Sequence, residues 1–175
     1  MDSYTPMQAL KRRMFAMRNG VVADTLRKAG SPFHIIFGIN LPQLVEIATQ
    51  TGQSKELAEQ LWANKTTRES MLLAPMLMPR EEFTKDDALR WGEAFSGPGM
   101  AEVVDIACHR LLRHLPFAWD LAEEWGGTYA GLRLAFNLVS ADPARARRLA
   151  ERSLDDDKLR SLAQALIDEA EFLGA

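Results

Sequence analysis

The chain has 175 residues, 47% of them apolar and 26% charged, with 21 Lys+Arg against 24 Asp+Glu. That size and balance suit one globular domain over 1–175 and exclude a disordered or fibrous chain. The single cysteine, Cys108, excludes a disulfide framework and a multi-thiolate zinc site within the chain. No apolar run reaches the ~18 residues of a membrane span. The start, Met1-Asp2-Ser3-Tyr4-Thr5-Pro6, lacks the basic head and apolar core of a signal peptide. A cytoplasmic protein is expected, with no membrane partner.

Charge is unevenly spread. Residues 1–60 carry 7 basic and 5 acidic side chains, 61–109 carry 5 and 8, 110–152 carry 7 and 5, and 153–175 carry 2 and 6. Strong non-specific nucleic-acid binding would need a positive balance overall, because phosphate neutralisation supplies most of its affinity. Local basic faces remain compatible with this pattern.

Almost every segment reads as helix. Thr5-Pro6 is a cap followed by proline, and Met7, Leu10, Met14 and Met17 follow at helical spacing. Val21 to Ala29 forms a second helix ending at Gly30, and Ser31 to Gly38 is an extended, partly buried loop. Leu41-Pro42 opens a helix through Thr51, Ser54 caps the next, and Thr67 begins a third that Pro75 interrupts. Thr84 to Asp87 resembles a capping box for a helix through Phe95. Met100 to His114 reads as one long helix before Pro116, and Pro116 to Trp125 as the next. Helices over Thr128–Val139, Asp142–Arg152 and Asp155–Leu173 complete the chain.

The pairs 41–51/54–63, 67–78/84–95, 100–114/116–125 and 128–139/143–152 begin roughly thirty residues apart, as stacked helix pairs do. The expectation is an all-α chain, an α-solenoid (α-α superhelix) of degenerate helical repeats, with a single all-α bundle as the alternative.

No phosphate-binding glycine loop and no HExxH zinc motif is present. Glu102, Asp105 and His109 could share a helix face and hold a metal, although such residues more often form a polar face. Asp105 lies between Val104 and Ile106, at the border of an apolar stripe. A carboxylate there needs a partner. It is either a tie between helices or an active-site group stabilising a developing positive charge. Arg133, the lone charge on the helix around Leu132 and Leu134, is the natural second member, as a brace for Asp105 or a phosphate ligand. Trp62, Trp91, Trp119 and Trp125 read mostly as packing anchors, and Met71, Met76 and Met78 as core filler.

Asn19-Gly20-Val21-Val22-Ala23, Phe37 to Leu44, Leu61-Trp62, Thr67-Arg68-Glu69, and Val104-Asp105 followed by Arg133-Leu134-Ala135 occur in one order along residues 18–140. In this the chain resembles the DNA alkylation repair family, the AlkD-like alkylpurine DNA glycosylases built from HEAT-like repeats. The resemblance implies cleavage of the N-glycosidic bond of positively charged N3- or N7-alkylated purines in duplex DNA, without metal or diffusible cofactor. It maps the family's catalytic Asp onto Asp105, stabilising an oxocarbenium-like sugar, and its helix-borne Arg onto Arg133, holding a phosphate. It also implies a basic concave wall, for which Arg68, Arg110, Arg113, Arg145 and Arg148 are the candidates. Two positions depart from the pattern: the family Trp falls on Ala101 and its adjacent Asp on Glu102. The later repeats, with a second DNA-facing Trp, are expected to have no counterpart. The alternative function is a non-catalytic helical-repeat scaffold for a protein partner.

Overall fold

The computed structural model describes residues 4–175; the expected polar start at Met1-Asp2-Ser3 lies outside the described residues. Among the described residues the chain forms eleven α-helices and no strand, with one isolated backbone bridge between Ile35 and Thr67. Among them, too, no helix is long and apolar enough to cross a membrane. The chain divides into two compact units, one ending at Phe83 and one spanning Thr84–Ala175. The division falls inside the expected pair 67–78/84–95.

The first unit contains α1 (Pro6–Ala16), α2 (Gly20–Lys28), α3 (Leu41–Thr51), α4 (Lys55–Ala63) and α5 (Arg68–Leu77). Local chemistry sets most of their starts. Thr5 and Asn40 form capping boxes with Gln8 and Gln43, each with proline in the first turn, while Asn19 and Ser54 cap through their side chains. Both α3 and α4 pack on α5. Nearly every residue of α5 is buried, as expected of a helix apolar around its circumference. Pro75 does not interrupt it: the helix continues to Leu77, forgoing only the bond that Pro75 cannot donate.

The second unit contains α6 (Lys85–Gly92), α7 (Ala101–Arg110), α8 (Ala118–Glu124), α9 (Tyr129–Leu138), α10 (Pro143–Glu151) and α11 (Arg160–Phe172). Here α7 and α8 both pack on α9, and α10 packs on α11. The central helices α5 and α9 therefore organise their units, and of the expected pairs 128–139/143–152 packs directly, α10 against α9. Each is buried along most of its residues, because flanking helices pack on more than one of its faces. Gly131 permits the close start of α9, because a Cβ there would collide with the Trp125 backbone.

Three boundaries differ from expectation. The helix from Thr84 ends at Gly92 rather than Phe95. The long helix over 100–114 breaks at Leu111 (φ −126°, ψ −64°) and tightens into a 3-10 turn, after which Leu115 is extended, as a residue before proline prefers. The last helix starts at Arg160, not Asp155. Asp156 instead accepts the Lys158 backbone N–H at 2.8 Å, a local turn that competes with helix.

Candidate nucleic-acid interface around Asp105

The α7–α9 packing buries Val103, Val104, Ala107 and Cys108 against Leu132, Leu134 and Ala135, leaving Asp105 at the edge of the contact. Tyr129 and Arg133 stand one turn apart on α9 and both reach it. Asp105 Oδ1 accepts a hydrogen bond from Tyr129 Oη at 2.7 Å, and Arg133 Nε forms an ion pair with the same oxygen at 3.0 Å. The Asp105 and Arg133 side chains are each 35% exposed. Both groups lie on one oxygen, and among the described residues no hydrogen bond is donated to Oδ2. Asn137 Nδ2 donates to the Arg133 carbonyl at 2.9 Å, and the Phe136 ring lies 5.9 Å from the guanidinium.

Burial, and then the bond to Asp105, push the Tyr129 phenol up to about 12, so it remains a donor at neutral pH. Burial and the Asp105 charge also push the neighbouring Cys108 thiol up, which leaves it protonated and unreactive. The sequence identified Asp105 and Arg133 but missed Tyr129. Its signal was the spacing of four residues from Arg133 on one helix face.

Beside Tyr129 lies a cavity of about 570 Å³ walled by Phe95, Met100, Ala101, Trp125, Tyr129 and Lys158. Phe95 and Trp125 meet edge to face with centroids 5.5 Å apart. Ala101 also lines this space, facing the aromatic walls. Trp62 and Trp91 are core residues, whereas Trp119 is half-buried with Arg145 5.0 Å above its ring. His109 is exposed, and among the described residues no three His, Cys, Asp or Glu side chains converge as metal ligands.

The five candidate wall arginines divide sharply. Arg148 is exposed. Arg145 pairs with Glu123 at 3.3 Å, and Arg113 Nε donates to His114 at 3.2 Å. Arg110 is half-buried, with its Nε enclosed and unbonded. Arg68 is a correction: its side chain is 7% exposed, too buried to line a surface. It supports the carboxylate of Glu69, which is fully enclosed and accepts the backbone N–H groups of Phe37 (3.0 Å), Gly38 (2.9 Å) and Ile39 (3.4 Å). Arg68 Nη1 completes the cradle with bonds to Glu69 Oε1 at 2.9 Å and to the Ile39 carbonyl at 3.2 Å.

Asn19 N–H donates to the Phe37 carbonyl at 2.7 Å, and Gly38, at φ +75°, packs where any Cβ would strike the Asn19 and Ala23 backbone. The motifs Asn19-Gly20, Phe37-Gly38-Ile39 and Thr67-Arg68-Glu69 thus meet in one structural knot that fixes the extended loop.

No protein-family model matches the chain. No curated protein matches it either. Among solved structures, it is similar to a member of a new family of proteins related to the HEAT-like repeat DNA glycosylases, with affinity for branched DNA structures. The two superpose with a TM-score of 0.62 at 15% identity, covering 94% of this chain and 83% of the other. The all-helical chain accordingly has the HEAT-like helical-repeat fold, an α-solenoid architecture.

Proposed function

We propose that the chain is a DNA-binding protein of the DNA alkylation repair type, recognising duplex DNA made irregular by a branch or an alkylated base. The observation that carries the reading is the half-exposed constellation of Asp105, Arg133 and Tyr129. An Arg held at a helix–helix edge, with its orientation fixed by a carboxylate, suits a phosphate contact that positions the nucleic acid. The branched-DNA affinity of the structural neighbour supports the same partner. A scaffold for a protein partner would be favoured by full burial of this pair, but a third of each side chain is exposed.

Excision of N3- or N7-alkylated purines is the finer reading. Asp105 Oδ2, which accepts no hydrogen bond among the described residues, is the oxygen we assign to a developing oxocarbenium-like sugar. Arg133 and Tyr129 partly neutralise that carboxylate, and Ala101 brings no ring to stack on a distorted nucleotide. Binding is therefore proposed as the principal function, with excision a residual activity centred on Asp105. No cofactor is needed for either.

The test is an anisotropy titration of the full chain with a four-way junction and with linear duplex. Arg133→Gln is expected to weaken binding by about tenfold or more. Absence of binding by the parent chain at low salt would overturn the reading. Release of 7-methylguanine above an Asp105→Asn control supports excision, and no release confines the function to binding.

A further inference from the structure

The first unit carries a surface that the Asp105 constellation does not use. Helix α1 buries Leu10 and Met14, with Met7 and Met17 half-buried on the same side. Its other faces present Lys11, Arg12, Arg13 and Phe15, and Arg18 follows just beyond its end; all five are exposed. Among the described residues none of these four cations pairs with a carboxylate, and no acidic residue occurs in α1.

Two of the guanidinium groups lie instead over aromatic faces, Arg12 above Tyr4 at 4.3 Å and Arg18 above Phe15 at 3.8 Å. Tyr4 is 54% and Phe15 56% exposed. Adjoining this face is a cavity of about 800 Å³ walled by Lys11, Arg12, Phe15, Ile35, Phe37 and Asn64, with no carboxylate in its lining.

Four positive charges within about two helical turns, without a carboxylate partner among the described residues, repel one another, and a polyanion relieves that repulsion. Charge alone would suit any acidic partner. The exposed rings narrow the choice, because cations interleaved with aromatic faces match a strand whose phosphates and unpaired bases are presented together.

We propose that the α1 face and its cavity bind unpaired nucleotides of DNA, such as those at a branch. Lys11, Arg12, Arg13 and Arg18 contact phosphates, and Phe15 stacks on a base. This rests on the DNA-binding reading above and adds to it a surface in the first unit, separate in sequence from Asp105.

The experiment uses the full chain, a labelled DNA fork with unpaired arms and a linear duplex of equal length, titrated from low to moderate salt. The combined variant Lys11→Ala, Arg12→Ala, Arg13→Ala and Arg18→Ala is expected to flatten the dependence of log K on log salt by about 3, since each phosphate contact contributes roughly 0.7–0.9. Phe15→Ala is expected to lower fork affinity by about 5- to 50-fold while leaving duplex affinity and the salt slope unchanged. The altered side chains are exposed, and circular dichroism melting checks that the fold persists.

Unchanged fork affinity and slope in the combined variant, with the parent chain still binding DNA, would overturn this surface and leave the DNA-binding reading intact. No DNA binding by the parent chain overturns both. A polyglutamate probe bound as tightly as the fork, with Phe15→Ala affecting neither, would make the face a protein-binding surface and refute the proposal.

Discussion

Two arginine–carboxylate pairs of equal chemistry serve opposite ends. Arg68 and Glu69 are neighbours in sequence and enclosed, with exposures of 7% and 0%, and every contact of the carboxylate is to a donor that fixes the 37–39 loop. Arg133 and Asp105 come from two helices, are each 35% exposed, and leave one carboxylate oxygen with no hydrogen bond donated to it among the described residues. An enclosed pair cannot lose one member without stranding a charge and several backbone donors. A half-solvated pair can part at modest cost and accept a ligand. The same guanidinium–carboxylate chemistry thus reads as structure or as site according to what surrounds it.

The largest effect is expected from breaking the enclosed pair. Glu69→Ala strands Arg68 and three loop amides, and should lower stability by about 3–5 kcal/mol in urea unfolding. Next comes Gly38→Ala, which forces a side chain into left-handed backbone and against the Asn19 carbonyl; a loss of about 1–3 kcal/mol in thermal melting is expected, at the strained end of the usual range. Asp105→Asn, by contrast, should cost about 1 kcal/mol or less in the same measurement, while removing any purine excision. A loss at Asp105 as large as that at Glu69 would erase the contrast between the pairs.

The smallest effect at neutral pH belongs to Tyr129→Phe, whose signature is in titration. The phenol rises from 10.0 to about 12 in the folded chain. Its raised value means that the contribution to stability is fully present below pH 10 and is lost as pH climbs through about 12. Ultraviolet titration of the folded protein should show one tyrosine ionising late, and Tyr129→Phe should remove that step.

Local chemistry made much of the fold legible. Thr5-Pro6, Leu41-Pro42, Ser54 and Thr84 mark helix starts in the sequence because a start signal needs only its own next few residues. The breaks at Leu111 and before Arg160 were not legible in the helical pattern, since apolar spacing alone continues through both. Asp105 was legible as a carboxylate at the border of an apolar stripe and Arg133 as the lone charge on an apolar helix, each in need of a partner. Arg68 misled for a physical reason: a charge at the first turn of a helix ordinarily faces water, but this helix is wrapped on nearly every side. The clue was Glu69 beside it, which gave the buried cation a counter-charge. The run Lys11-Arg12-Arg13 registered only as part of a mildly basic block, because sequence does not reveal that its charges pair with no carboxylate among the described residues and stand beside exposed rings.

The most direct measurement follows the arginine Nε–H resonances of the full chain by NMR as forked DNA is added. The expected result is that Arg133, Arg12, Arg13 and Arg18 shift progressively while Arg68 stays fixed. Movement of Arg68 without Arg133, or no movement at any of them at saturating DNA, would contradict the assignment of one pair to the fold and the other to the nucleic acid.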